Sequence, residues 1–223
     1  DRVIQQGIAQ KLQNIWEPLF SDSSYGYRPK RSGQQAIEKV KEYAEEGYRY
    51  AVAVDLSKYF DTLNHELLMN LLHRKIQDMR VLRIIKKYLK SGVMENGVVC
   101  KTKEGSPQGG PLSPLLANIY LNEFDWEMCG RGVKMVRYAD DIVVFAKSKR
   151  AAERLMESSR KYLEGKLKLK MNTEKSKVTS IFAVKEFKFL GFCIGKNGSG
   201  IYIRAHRKSL NKAKVQFTRD YTE

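Results

Sequence analysis

The run VKMVRYADDIVVFAKS, Val133 to Ser148, constrains the fold more than any other stretch of the chain. Two short blocks of β-branched and apolar residues flank Tyr138-Ala139-Asp140-Asp141. Val and Ile favour the pleated sheet and Asp tolerates turn dihedrals, so the pattern predicts two strands joined by a tight turn. Asp140 and Asp141 then project from the tip of a rigid hairpin. Adjacent carboxylates repel each other, and their placement at the end of an apolar strand points to a cation, with a divalent metal the natural candidate. A solvated hairpin turn is the rival explanation for these four residues taken alone.

A second acid closes another strand-like run. In YRYAVAVDLSKYFDTLNHELL the apolar residues lie from Tyr50 to Val54 and Asp55 follows them. Two hard magnesium ions roughly 3.5–4 Å apart need carboxylates from different segments, because one short loop cannot surround both. Asp55 and Asp140 can supply them if their strands are neighbours, which spacing does not show. One ion would lower the pKa of an attacking hydroxyl and the other would stabilise a leaving pyrophosphate, the chemistry of in-line phosphoryl transfer.

Charge points the same way. Lys and Arg number 41 against 25 Asp and Glu, a formal net charge of +16 with a pI near 9.7, and a surface so basic suits a polyanion such as nucleic acid. With 223 residues, 42% of them hydrophobic, the chain can bury a sizeable core. No apolar run approaches the ~20 residues of a membrane span, and Asp1-Arg2 does not open a signal peptide. Cys100, Cys129 and Cys193 are too few and too scattered for a disulfide framework or a zinc cluster, so a cytoplasmic location is the simplest expectation.

Periodicity and caps predict the remaining elements. Ile4, Ile8, Leu12, Ile15, Trp16 and Leu19 share one face of an opening helix. Ser32 and Gln35 form a capping box for a second helix that ends before Gly47. Asn64 caps a helix burying Leu67, Leu68, Leu71 and Leu72, and a further helix turns Val81, Leu82, Ile85 and Leu89 inward. A hairpin is expected around Asn96-Gly97, and a helix begins at Pro114 in PLLANIYLNEFDWEM. The helix after the Asp140-Asp141 hairpin buries Ala152, Leu155, Met156, Tyr162 and Leu163. Strands around Val178 to Phe182 and Phe187 to Ile194 complete an α+β domain, with helices on one face of an antiparallel sheet and the other face open.

In chain order stand the blocks DRVIQQ, SDSSYGYRPKRS, AVDLSKYFD, GSPQGGPLSPLLANIYLNEFD, RYADDIVVFAKS, LKLKMNTEKSKV and FKFLGF. Together they resemble the reverse transcriptase domain of bacterial group II intron-encoded proteins, or maturases, from Asp1 to about Phe192. The SSYGYRPKRS and PQGGPLSPLLANIYL segments resemble these proteins more than retroviral enzymes. The resemblance implies a right-hand polymerase palm, an antiparallel sheet with packed helices, accompanied by partial helical fingers and lacking a thumb. Residues 1–48 would be partial fingers, 49–92 palm, 93–112 a fingers/palm connection, 113–203 palm, and 204–223 the start of a connection to the missing thumb. Finger strands upstream of DRVIQQ are expected in the family, so the chain reads as an excised fragment.

The resemblance also implies roles. Asp55, Asp140 and Asp141 would be catalytic, holding two Mg2+ ions with help from the backbone carbonyl of Leu56. Phe60 would lie beneath the sugar of a deoxynucleoside triphosphate (dNTP) as a steric gate. Gln108, Gly109 and Gly110 sit where an amide and close backbone approach could meet the nucleotide or template. Lys175 would protonate pyrophosphate, and Phe189, Leu190 and Gly191 resemble the primer grip. Tyr25, Arg28, Lys30 and Arg31 combine stacking with phosphate pairing and are expected to contact RNA. The implied activity is RNA-directed DNA synthesis from dNTPs on an RNA template and DNA primer. Intron RNA is a further partner, bound to assist splicing and retromobility, and a membrane is not; monomer or homodimer is left open. The rival is an RNA-binding splicing module with little polymerase activity. A nucleotide cyclase would need a GGDEF-like site where YADD stands.

Overall fold

The computed structural model describes residues 2–91, 93–95, 98–100, 104–106 and 109–211, with residues 93–95 and 98–100 described by their main chain. In chain order its elements are α1 (Arg2–Trp16), α2 (Gly33–Glu45), β1 (Tyr50–Val54), α3 (His65–His73), α4 (Met79–Lys90), β2 (Val93–Glu95), β3 (Val98–Cys100), α5 (Ser113–Gly130), β4 (Met135–Tyr138), β5 (Asp141–Ala146), α6 (Lys149–Gly165), β6 (Lys177–Ser180), β7 (Phe192–Asn197) and β8 (Gly200–Ala205).

The central sheet has the order β4-β5-β1-β6, and every neighbouring pair is antiparallel. The two acid-bearing strands are therefore adjacent, the condition that spacing left open. Because successive strand residues point to opposite faces, Val52, Val54, Ile142 and Val144 enter one core while Ala51, Val143 and Phe145 enter another. The first core is built largely by α5, whose apolar residues run all round the helix. Leu116, Ile119, Tyr120, Leu121 and Phe124 are all buried, so more than one side of the helix faces the protein interior. Helix α6 starts where the Ser148 side chain accepts from Ala151 N, and it packs Ala152 and Leu163 against the same core.

The opposite face is not open as expected. Helix α2, opened by the reciprocal Ser32–Gln35 capping box, covers it with Ala36, Ile37, Val40, Tyr43 and Ala44. Phe187, Phe189 and Ile194 join them. The expected strand from Phe187 to Ile194 is interrupted, because Leu190 (φ 49°) and Gly191 (φ 86°) reverse the chain. The strand starts only at Phe192 and pairs with β8 as a separate hairpin. Helix α1 also departs from the expectation: Leu12 and Trp16 are buried, whereas Ile4 and Ile15 are exposed. The caps of α3 by Asn64 and of α4 by Asp78 are in place, and β2 pairs with β3. Asn96 and Gly97 lie outside the described residues. Among the described residues no helix is long and apolar enough to cross a membrane.

Candidate active site

The acids meet at one end of the sheet. Strands β1 and β5 are paired up to Val54↔Ile142, and one further step of that register sets Asp55 opposite Asp141, on the face that also carries Ala53 and Val143. Tyr138 pairs with Asp141, so Ala139 and Asp140 form a two-residue turn. Ala139 has φ 57°, the left-handed value that a tight hairpin of this kind requires at its first central position and that glycine meets without strain. The main chain at Asp55 is clamped by the NTEKS loop. Asp55 N donates to Ser176 Oγ (3.0 Å), Ser176 Oγ donates to Asp55 O (3.3 Å), and Asn172 N donates to Asp55 O (2.8 Å).

Electrostatics confirm the crowding. The Asp141 carboxyl is pushed above its ordinary pKa, first by partial desolvation and then by repulsion from Asp140 and Asp55, while Lys188 opposes the rise. Asp55 and Asp141 line a cleft of about 640 Å³ shared with Lys175, Lys177, Lys185 and Lys188. Asp55 and Asp141 thus face several lysines across open space, with Asp140 beside Asp141 in the turn. Leu56 buries its side chain, so any ligand contact it makes is through its main chain.

A second cavity, about 620 Å³, is lined by Phe60, Tyr27, Gly109, Gly110 and Pro111. Phe60 follows a residue in left-handed conformation, Lys58 (φ 47°), and lies in a single 3-10 turn where its carbonyl accepts from Ser106 N (2.6 Å). Phe60 is half-buried against the core beside Tyr59. The structure therefore brings Phe60 to Gly109 and brings Lys175 to Asp55 and Asp141, but the two cavities share no lining residue. Gln108 lies outside the described residues.

Two of the expected nucleic-acid contacts, Arg28 and Tyr25, are turned inward. Arg28 is buried, with Nη1 donating to Ser21 O (2.7 Å) and Ser24 O (2.8 Å) and Nη2 paired with Glu17 (2.8 Å). Tyr25 is buried in the second core, as is Phe189. Arg28 and Tyr25 are thereby consumed by internal packing, whereas Phe189, though buried, also lines the cleft of Asp55 and Asp141. Arg31 pairs with Asp22 and lies over the Tyr25 ring; Lys30 and Tyr27 are exposed. Leu190 sits partly exposed beside Gly33 and Tyr138, and Gly191 O accepts from His206 N.

Beneath the turn lies an assembly the sequence reading missed. Arg137 is fully buried and all five of its N–H donors are used. Nε and Nη2 bind Asp125 (2.8 and 2.6 Å), Nη1 reaches Asn118 Oδ1 (2.8 Å) and Ala139 O (2.9 Å), and Nη2 also reaches Ser24 Oγ (2.8 Å). Asp125 and Asn118 lie seven residues apart on α5, two turns along one face, a spacing that could have signalled a shared partner.

An antiparallel sheet backed by helices, with carboxylates from adjacent strands at one end, has the layout of a polymerase palm. Residues 1–194 match the family profile "Reverse transcriptase (RNA-dependent DNA polymerase)", and the chain belongs to that family. It is 36% identical over 219 residues to protein YkfC of Escherichia coli K12, covering 81% of this chain and 58% of that one. It is 30% identical over 270 residues to the group II intron-encoded protein LtrA of Lactococcus lactis, covering 92% of this chain and 44% of LtrA. The chain thus spans about half the length of these relatives. Among solved structures, apo telomerase from Candida tropicalis truncated from its C-terminal domain shares the fold, with a TM-score of 0.67, 14% identity, and coverage of 91% of this chain and 45% of that one.

Proposed function

We propose that this chain is the catalytic core of an RNA-directed DNA polymerase encoded by a group II intron, extending a primer 3′-hydroxyl with dNTPs on an RNA template. The observation that carries the reading is the convergence of Asp55, Asp140 and Asp141 at the paired ends of β1 and β5. These acids offer only hard oxygen donors and repel one another, which fits a divalent cation such as Mg2+. Among the described residues no group of three His, Cys, Asp or Glu side chains forms a ready-made metal cage. That fits ions that keep waters and take part of their coordination from substrate phosphates. Asp55, Asp140 and the Leu56 carbonyl would hold them, with Asp141 in support. When bound, such ions supply charge neutralisation at the transferring phosphoryl group and acidify the attacking hydroxyl.

The chain's own residues do the rest. The NTEKS clamp on Asp55 and the two-residue turn fix where the carboxylates point, so the reacting hydroxyl and phosphorus are oriented by rigid main chain. Phe60 walls the cavity that Gly109 and Gly110 also line, where its ring would exclude a ribose 2′-hydroxyl. Lys175 shares the cleft of Asp55 and Asp141 and is placed to donate a proton there; Lys177, Lys185 and Lys188 suit primer phosphates. The basic surface also suits intron RNA, the partner in a splicing role. The test is primer extension by the full-length protein on poly(A) with oligo(dT) and Mg2+. Synthesis that disappears with a chelator and with Asp140→Ala supports the reading, and synthesis surviving Asp140→Ala overturns it.

A further inference from the structure

We propose that Arg137, held by Asp125 and Asn118, is a positioning residue that locks the Asp140-Asp141 turn to the distant segment 23–26. This rests on the polymerase reading of the site and names what fixes its geometry. The turn needs fixing. Ala139 occupies a left-handed conformation at φ 57°, which is strained for an L-residue and persists only where its surroundings impose it.

Two contacts impose it. From below, Arg137 Nη1 donates to Ala139 O at 2.9 Å. From the side, Gly26 packs its main chain against the turn so closely that a Cβ on it would lie 2.3 Å from Ala139 N and 2.9 Å from Tyr138 C. Only a residue without a side chain allows that approach. Asn118 joins the two contacts with a single amide: Nδ2 donates to Gly26 O (2.7 Å) and Oδ1 accepts from Arg137 Nη1 (2.8 Å).

The segment before Gly26 is tied to the same arginine. Ser24 Oγ accepts from Nη2 across 113 positions of sequence. Ser24 and Arg137 form a parallel bridge, with Arg137 N donating to Ser23 O (2.7 Å) and Tyr25 N donating to Arg137 O (2.8 Å). Segment 23–26 therefore acts as an extra rung beside β4, and displacement of either one moves the other. Arg137, Asp125, Asn118 and Gly26 line neither of the cavities described above, so they act through the turn and not on substrate.

The test uses the full-length protein and three substitutions, Gly26→Ala, Asn118→Ala and Arg137→Lys. Lysine keeps the charge facing Asp125 but cannot reach Asn118, Ser24 and Ala139 O together. For primer extension, kcat falls about 10- to 100-fold in each, the loss expected of a displacement near 1 Å, while KM for dNTP and primer–template affinity stay close to wild type. Amide exchange at Arg137 and Tyr25, whose N–H groups tie β4 to segment 23–26, accelerates together in all three. Ile85→Ala, a core truncation in α4, is the control for stability loss: its lowered thermal midpoint leaves kcat unchanged.

If Gly26→Ala fails to fold, Asn118→Ala and Arg137→Lys with the exchange measurement decide the matter. Wild-type kcat in the folded variants, or losses that track thermal midpoint as in Ile85→Ala, overturn the lock. Asp140→Ala separates the two levels: if it is inactive while the lock variants are fully active, the lock alone fails, and if it is active, the polymerase reading fails.

Discussion

The chain holds one buried acid, Asp125, and a set of three at the sheet end, and they have opposite solutions to the same electrostatic problem. Asp125 is fully buried and met by a guanidinium that satisfies both carboxylate oxygens. Asp55, Asp140 and Asp141 stand at the sheet end with no such partner, and partial desolvation, followed by repulsion from Asp140 and Asp55, raises the pKa of Asp141. A carboxylate serving structure is neutralised within the chain, because an unpaired buried charge costs several kcal/mol. One serving chemistry is left for a ligand to neutralise, and the folded protein carries the resulting strain.

Breaking each group should give different kinds of failure. The largest effect is expected from Asp140→Ala, which lowers DNA synthesis by on the order of 10³-fold or more while thermal stability and RNA affinity stay near wild type. Asp125→Ala does the reverse in kind: it strands Arg137 and destabilises the fold by about 3–5 kcal/mol, measured by urea denaturation. Equal losses of stability in both variants would erase the distinction. Phe60→Val leaves both acid groups intact and lowers discrimination against ribonucleotides by about 10- to 100-fold, read as a ratio of kcat/KM values.

Smaller effects sharpen the comparison at its edges. Charge reversal of Lys185 and Lys188, which face the open acids, reduces the salt dependence of nucleic-acid binding by roughly one to two in the log–log slope. Arg28→Gln leaves that slope unchanged, since Arg28 is spent on Glu17 and on main-chain carbonyls. The smallest effect concerns pH. The Asp141 pKa is raised above its ordinary 3.8, so the folded state holds a proton that the unfolded state releases, and stability falls as pH rises from that value through the folded pKa. Asp141→Asn removes this decline and raises the thermal midpoint at neutral pH. A lowered midpoint would show that Asp141 is paired like Asp125.

Local chemistry was legible because it acts over a few residues. The hairpin at Tyr138 to Asp141, the capping box at Ser32, the Asn64 cap and the Pro114 start are each written in neighbouring side chains, and all are present in the structure. The acids could be proposed as partners because both end apolar strands. The β7–β8 hairpin was readable too, in the Asn197-Gly198-Ser199-Gly200 turn between alternating runs, but the Phe187 to Ile194 block obscured it.

What only tertiary structure decided depends on contacts between residues far apart in sequence. Basic and aromatic side chains look alike on paper whether they face solvent or core, so only their neighbours show that Arg28 and Tyr25 are turned inward. The pairing of Asp125 with Arg137, and the approach of Gly26 to Ala139, join elements whose proximity no periodicity encodes. The sequence by itself determined which residues could do the chemistry, because reactivity belongs to side-chain type and immediate context. Their alignment was decided by packing, because the position of a turn is set by everything that touches it.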